Sequence, residues 1–538
     1  MRGFASALFP LVLAVTAAGS APAAPSPPRL LGLTVSNGDS PFAGDTARLT
    51  TVSPNGDGFR DRAIVRFRLD RPALVKLYAV ATGDTSAVPR TIWKTALSLS
   101  AGPHRLVWKP KASTPPRTYL LRFVVVGRSG GRRVYGYEPP KRNRPTTGVV
   151  IRVQGVEIGF LARSYAAGSQ ATVAISSDAR SLRLQLFSFA NDPHPTVRDL
   201  RKSGVAVAPA VELDWRTHRS APHLVRIGRV GAFPSGLYFL RVAAADGRVG
   251  YAPLILRPRR LGEHRVGVVL GTNTWQAYNL LDANGDGWGD SWYVSASASP
   301  RIDLRRPYLD FGLPPRFKDW DLGFISWLKR TGKAVDVLSD DDLANVASGD
   351  ALRRAYDLVV FPGHEEYVTR HMYDVVRRYR DLGGHLMFLS ANNFLWSVRR
   401  QGQSLRRVQL WRTLGRPEAA LVGAQWVASS GRARGRLVVR GASATPWIFA
   451  GTGLSNGSVL GRYGIEIDAR AAASPPQTRL LARIPRLIGG RDAEMTYYER
   501  PGSAKVFDAG VLDFASSIGK PAVSRLVGNL WARLAAGR

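Results

Sequence analysis

The chain has 538 residues, with 75 Lys and Arg against 40 Asp and Glu, and no cysteine. That length exceeds one ordinary core and calls for several domains, and the missing cysteines exclude disulfides, thiolate metal sites and Cys nucleophiles. A formal net charge of +35 attracts polyanions such as an acidic cell-envelope polymer, but no recognition helix, RNA-binding aromatic pattern or zinc finger is present, so no specific nucleic-acid partner is expected.

Met1-Arg2, the apolar run 4–18 and Ala21-Pro22-Ala23 supply the charged, hydrophobic and small-residue parts of a secretory signal peptide. The run is short and broken by Pro10 and Gly19, which predicts a cleaved segment at 1–24 rather than a membrane anchor. The mature protein is therefore expected to be secreted or extracellular.

Residues 45–256 read as β structure. Ala63-Ile64-Val65-Arg66-Phe67-Arg68-Leu69 alternates, and short runs at 74–80, 105–108 and 119–126 are separated by Pro, Gly and Asp, which predicts an Ig-like β-sandwich over 45–128. A Gly, Arg and Pro-rich linker follows at 129–148, then a second Ig-like sandwich over 149–258 with strands at 171–175, 182–189, 224–227 and 237–242. Trp108 with Tyr119, and Trp215 with Tyr238, suggest related modules with aromatic cores. Ser53-Pro54-Asn55-Gly56-Asp57-Gly58 resembles the segment before the strands of Ig-like modules in flagellar hook-cap proteins. It reads either as a calcium loop lacking its twelfth-position carboxylate or as an Asx-rich turn.

From 265 the pattern alternates strand and helix. Apolar strands at 266–270, 334–338, 358–361 and 385–389 interleave with helical spacing at 322–329 and 372–382, the latter closing on Gly383-Gly384. This predicts an α/β, doubly wound parallel sheet over 264–538. In such a sheet, ligands gather beyond the carboxyl ends of the strands. Three of those ends release polar groups: Gly271 to Asn279 with Tyr278, Gly363-His364-Glu365-Glu366-Tyr367, and Ser390-Ala391-Asn392-Asn393. Each has a structural reading: Tyr278 as a core aromatic, His364 as a helix cap, Glu365 and Glu366 as first-turn acids, Asn392 as a turn residue. Converging on one edge, they form a candidate site.

Val268 to Asn279, Arg306-Pro307-Tyr308, Pro362-Gly363-His364-Glu365-Glu366-Tyr367, Leu389-Ser390-Ala391-Asn392-Asn393, Gly464-Ile465-Glu466-Ile467-Asp468 and Val506-Phe507-Asp508-Ala509-Gly510 together resemble the large (β) subunit family of N,N-dimethylformamidase, over roughly 150–536. The resemblance implies a glutamine-amidotransferase-like α/β domain, a mononuclear Fe(III) ion held by Tyr278, Tyr308 and Glu366, and a small amide substrate. It also implies that His364 and Asn392 position substrate and water, with His364 or Glu365 moving the proton. A phenol with an ordinary pKa near 10 becomes a ligand when a hard, highly charged cation displaces its proton.

Leu281-Asp282-Ala283-Asn284-Gly285-Asp286-Gly287-Trp288-Gly289-Asp290-Ser291-Trp292-Tyr293 departs from the family pattern. Asp282, Asn284, Asp286 and Asp290 stand at the first, third, fifth and ninth positions of a calcium loop, so a structural Ca2+ site is a second metal expectation. Two functions compete. One is a secreted iron-dependent hydrolase of an amide carbon–nitrogen bond, which in the family works beside a small subunit. The other is a non-catalytic surface protein whose basic face holds an acidic envelope polymer, with a vestigial α/β domain.

Overall fold

The computed structural model describes residues 26–82, 90–136, 148–189, 204–228, 233–293, 301–309, 311–500 and 504–536. The expected export segment at 1–24 and most of the expected linker lie outside the described residues. Among those described, no helix is long and apolar enough to cross a membrane.

The first module packs a three-stranded sheet, Leu30–Ser36, Ala63–Leu69 and Gly102–Trp108, on a larger sheet ordered Leu49–Val52, Val149–Val153, Arg117–Gly127, Ala73–Ala81, Arg90–Leu99. Alternation sets the faces: Val65, Phe67 and Leu69 enter the core while Arg66 and Arg68 stay exposed. Val149–Val153 pairs antiparallel with Arg117–Gly127 and parallel with Leu49–Val52. The first module thus reaches from residue 30 to 153, beyond the expected 45–128, because a strand after the linker returns to complete its sheet.

The second module sets Glu157–Phe160, Ala171–Ser176 and His223–Ile227 against a sheet centred on Val249–Arg257, Gly236–Ala244 and Ser181–Phe189. Trp215, Tyr238 and Val173 fill its core. In both modules a buried tyrosine turns its hydroxyl to the carbonyl four residues upstream, Tyr119 to Pro115 at 2.8 Å and Tyr238 to Pro234 at 2.9 Å. The same corner device recurs in each sandwich.

The third module corrects an expectation. The α/β doubly wound, glutamine-amidotransferase-like domain predicted for 264–538 does not form: strand takes 44% of the chain and helix 17%, so the architecture is β-dominated. Its nine-stranded sheet begins with five short parallel strands, Asp336–Ser339, Val266–Leu270, Leu358–Phe361, His385–Phe388 and Lys505–Asp508. It continues through four long antiparallel ones, Arg491–Glu499, Arg479–Ile488, Gln425–Val439 and Val459–Ala469. The strand–helix alternation up to residue 389 gives way to hairpins, and their long antiparallel strands stand where the winding was expected to continue. A separate four-stranded sheet, ordered Arg301–Asp303, Ser404–Leu410, Trp396–Gln401, Tyr367–Thr369, lies beside it.

Two features of this sheet matter for the site. The strands Val266–Leu270, Leu358–Phe361 and His385–Phe388 are neighbours, so their exits are adjacent. The far edge strand then curls back: Ile467 bridges Val511, and the Asp468 amide donates to Gly510 O at 3.0 Å. That brings 466–468 over the same exits.

Candidate functional site

The segment after Leu358–Phe361 does not enter a helix directly. A short strand, Tyr367–Thr369, comes first, and helix Arg370–Asp381 starts behind the Thr369 cap. His364, Glu365 and Glu366 are therefore neither caps nor first-turn acids of that helix. All three are buried, and Gly363 makes this geometry possible: a Cβ there would lie 2.2 Å from Asp321 Oδ1.

Glu366 is the hub. Its Oε2 accepts from the Tyr293 hydroxyl at 2.6 Å and the Tyr278 hydroxyl at 3.1 Å, and stands 3.1 Å from His364 Nε2. The Tyr293 and Tyr367 hydroxyls meet at 2.5 Å. Tyr278 ends the helix Thr272–Tyr278, and its ring stacks on that of Tyr293 with centroids 4.1 Å apart. Trp320 closes the other side, edge-on to Tyr278 at 5.0 Å and to His364 at 4.9 Å.

His364 is held from behind. Its Nδ1 lies 3.1 Å from the Ala391 carbonyl, which fixes Nδ1 as the donor and leaves Nε2 facing the carboxylates. Glu466 Oε2 is 3.7 Å from that Nε2 and accepts from Asn392 Nδ2 at 2.6 Å. Asn392 itself sits in the left-handed region at φ 58, with its amide donating to both Asp468 oxygens at 2.8 and 3.0 Å.

The electrostatics follow from one imidazole among acids in a dry site. Burial first, then the charges of Glu366 and Glu466, push the Tyr278 phenol well above 10. Burial and Glu366 do the same to Tyr293 and Tyr367. For His364, burial works against the charged form, but the Glu366 hydrogen bond and the Glu466 charge outweigh it and raise the imidazole. With their values raised, the three phenols stay neutral near pH 7; a hard cation would reverse that.

Among the described residues no three His, Cys, Asp or Glu side chains are grouped to hold a metal ion. Any metal at Glu366 would therefore depend on the phenols. Two phenol oxygens and the Glu366 carboxylate make a hard donor set, which fits a ferric ion, with the His364 imidazole beside it.

The expected residues divide as follows. Tyr278, Glu366, His364 and Asn392 come together. Tyr308 does not join them: its ring meets Trp275 edge-on at 6.4 Å, and its hydroxyl bonds Gln276 beside the Arg163 and Arg306 guanidiniums. It follows Arg306, whose guanidinium spans Asp290 O at 2.9 Å and Gln276 O at 2.6 Å, and this turns the next residues toward the main core. Glu365 sits against the carboxyl of Asp340 instead; burial raises both, the Asp340 charge raises Glu365 further, and the hydrogen bond from Glu365 holds Asp340 back.

The Asp-rich loop closes on itself. Asp282 accepts from the amides of Gly285 at 2.7 Å and Gly287 at 2.8 Å, Asp290 from Ala283 at 2.7 Å and from the Asn284 side chain at 3.0 Å, and Asp286 from Trp288 at 2.8 Å. These oxygens, the expected calcium ligands, accept from the loop's own donors and, at Asp282, from Thr118. Burial first, with Asp286 and Asp290 adding to it, lifts Asp282 to about 6.

Three residues of the site escaped the sequence reading as participants. Tyr293 was visible only as the end of the Asp-rich segment, Tyr367 as the end of the His-Glu-Glu motif, and Glu466 as part of a distant Gly-Ile-Glu-Ile-Asp run. Their proximity to recognised motifs was the one signal available.

Comparison with known proteins agrees with these motifs. The family described as N,N-dimethylformamidase beta subunit-like, C-terminal, matches residues 206–525. Over 198 residues the chain is 32% identical to the N,N-dimethylformamidase beta subunit of Paracoccus aminophilus, a match covering 35% of this chain and 25% of that protein. The chain thus accounts for about a quarter of that relative's length. Among solved structures, alpha-2-macroglobulin from Escherichia coli aligns at 13% identity and a TM-score of 0.23 over 42% of this chain and 16% of its own. The adhesin InvE of Yersinia pseudotuberculosis aligns at 14% and 0.14 over 38% and 56%, and neither likeness bears on function. By its matched span and the residues gathered at the strand exits, the chain belongs to the N,N-dimethylformamidase beta subunit-like, C-terminal family.

Proposed function

We propose that this protein is a hydrolase of an amide carbon–nitrogen bond, with Fe(III) held by Tyr278, Tyr293 and Glu366. The observation that carries the reading is the convergence of two stacked phenols on Glu366 Oε2. When bound, such an ion would supply a Lewis acid for an amide carbonyl and keep the phenols ionised.

The chain's own residues account for the remaining steps. His364 Nε2 takes a proton from water and returns it to the departing nitrogen, its raised basicity suiting both transfers. Glu466, oriented by Asn392, stabilises the imidazolium. Tyr367 aligns the Tyr293 hydroxyl, and the Trp320 ring keeps bulk water from the Tyr278 face. The relative named above is a subunit, and assembly with a second chain is part of this proposal.

Protein produced with iron should carry about one iron per chain, absorb visible light through phenolate charge transfer, and release amine from N,N-dimethylformamide or a similar small amide. A protein that stays colourless and metal-free after iron reconstitution overturns the reading.

One observation favours a second reading, binding to an anionic polymer. Arg406 stands directly opposite Arg301 on one side and Arg399 on the other, across three adjacent strands. All three are exposed. The directly opposed charges of Arg399 and Arg406, at a strand spacing of about 4.8 Å, repel, and an anionic chain laid across them would relieve that repulsion.

A further inference from the structure

The first sandwich carries an apolar patch on its outer face. Strand alternation sends Tyr119, Leu121, Val149 and Ile151 into the sandwich core, which turns Leu120 and Val150 outward, beside Leu49. Yet these three side chains are 0 to 6% exposed. What covers them is the Asp-rich loop of the third module: Trp288, itself 7% exposed, completes the cluster with Leu280 against it.

The loop lies directly on the sandwich. A Cβ at Gly285, whose φ is 73, would come within 2.4 Å of Leu49 Cδ2. The Thr82 hydroxyl donates to the Gly287 carbonyl, and Thr118, also on the outer face, bonds Asp282. The loop's far end returns to the site. Arg306 binds Leu281 O at 3.2 Å and Asp290 O at 2.9 Å, closing the loop's neck. The Ser291 hydroxyl then donates to Ala277 O at 2.8 Å, and the Tyr293 amide to Ser291 Oγ at 3.2 Å. Two residues past this anchor the Tyr293 ring reaches Tyr278.

We infer that the first sandwich is a positioning part of the site: by clamping Trp288 and the loop 280–292 it sets the Tyr293 phenol over Tyr278 and Glu366. Leu49, Leu120, Val150, Thr82 and Trp288 act through Tyr293 and touch no reacting atom. Tyr278 needs no such support, because a helix continuous with a core strand delivers it. The sandwich is then built into the site rather than serving as a detachable surface tether. Only the consequence for activity rests on the proposed iron hydrolase; the clamp itself does not.

The test uses metal-free, full-length protein carrying fluorotyrosine at position 293 or, separately, at 278, read by fluorine NMR. Trp288→Ala should shift and broaden the 293 resonance and leave the 278 resonance narrow, moved only by the changed ring current of its stacked neighbour, while Trp288→Phe, which keeps an aromatic plug, should restore both. If Trp288→Ala fails to fold, Thr82→Val removes one hydrogen bond to the loop and should move the 293 resonance in the same direction by less. An unmoved 293 resonance in a folded Trp288→Ala protein, or broadening at 278 equal to that at 293, overturns the inference. Because no iron is present, this outcome is independent of whether the chain binds iron.

Discussion

Tyr278 and Tyr293 stack ring on ring, 4.1 Å apart and 30° between planes, and both donate their hydroxyls to the same carboxylate oxygen of Glu366. They arrive from different sources, one at the end of a helix and the other at the end of a loop. The arrangement therefore separates what the third module's sheet dictates from what the loop and its support dictate.

Exchanging each tyrosine for phenylalanine separates the two ligand sets. Tyr293→Phe removes a hydroxyl at the hub and should abolish the visible band and iron retention, while leaving the fold stable to within about 1–2 kcal/mol. Tyr308→Phe should lose only its bond to Gln276, costing about 1 kcal/mol, and keep the band, since that ring belongs to the Trp275 side. Absorbance and iron content of both purified variants check this. A band lost in Tyr308→Phe and kept in Tyr293→Phe would restore the pattern the family resemblance implied.

That contrast marks where the sequence was legible. His364 and Asn392 follow strands by a few residues, so locating the strands located them, and the two sandwiches were visible in their alternation and aromatics. Tyr308 and Tyr293 lie on either side of the masking effect of chain distance: spacing says that both follow the helix Thr272–Tyr278, not which one turns back to it. Buried Arg306 and the loop decide that. Glu466 depends on a long antiparallel strand curling onto the sheet's middle, a non-local pairing with no local signal. The same long hairpins explain why a doubly wound domain was expected and a mixed, β-dominated sheet formed.

Gly363→Ala should be costly for a steric reason. The new Cβ would meet Asp321 Oδ1 at 2.2 Å and its carboxyl carbon at 2.9 Å, and overpacking of this kind costs about 1–3 kcal/mol. Shortening the opposing side chain makes room, so Asp321→Ala combined with Gly363→Ala should be less destabilised than the sum of the single changes. Denaturant unfolding of the four proteins gives the coupling energy. Additive effects would mean that the two residues do not press on one another.

The arginine row makes a separate prediction about polyanions. Arg399→Ala with Arg406→Ala removes two of three abreast guanidiniums while leaving Asp303 paired with Arg305. Binding to a carboxylated or phosphorylated polymer should weaken, and its dependence on salt should flatten, because fewer exposed charges remain to be screened. The variant Glu366→Ala should bind as the parent does. Sedimentation with the polymer across a salt series measures both, and a salt response unchanged by the double substitution would remove the row from consideration.

Asp321 predicts how stability varies with pH. Its carboxyl is fully buried, with Oδ2 accepting from Trp275 Nε1 at 3.1 Å and Oδ1 without a partner. Burial pushes it from an ordinary 3.8 up to about 7. A folded-state value above the unfolded one means that the folded protein holds the proton more tightly. The stabilisation is then complete below about pH 4 and lost as pH rises through about 7. Asparagine cannot ionise and can keep the bond to Trp275 through its carbonyl. Asp321→Asn should therefore match the parent at about pH 4 and exceed it at about pH 8, by no more than about 4 kcal/mol for a shift of roughly three units. Urea midpoints of both proteins across that range test the sign directly: curves that converge at acid pH and separate above neutrality support a buried, proton-holding Asp321, whereas parallel curves would place its ionisation outside the range.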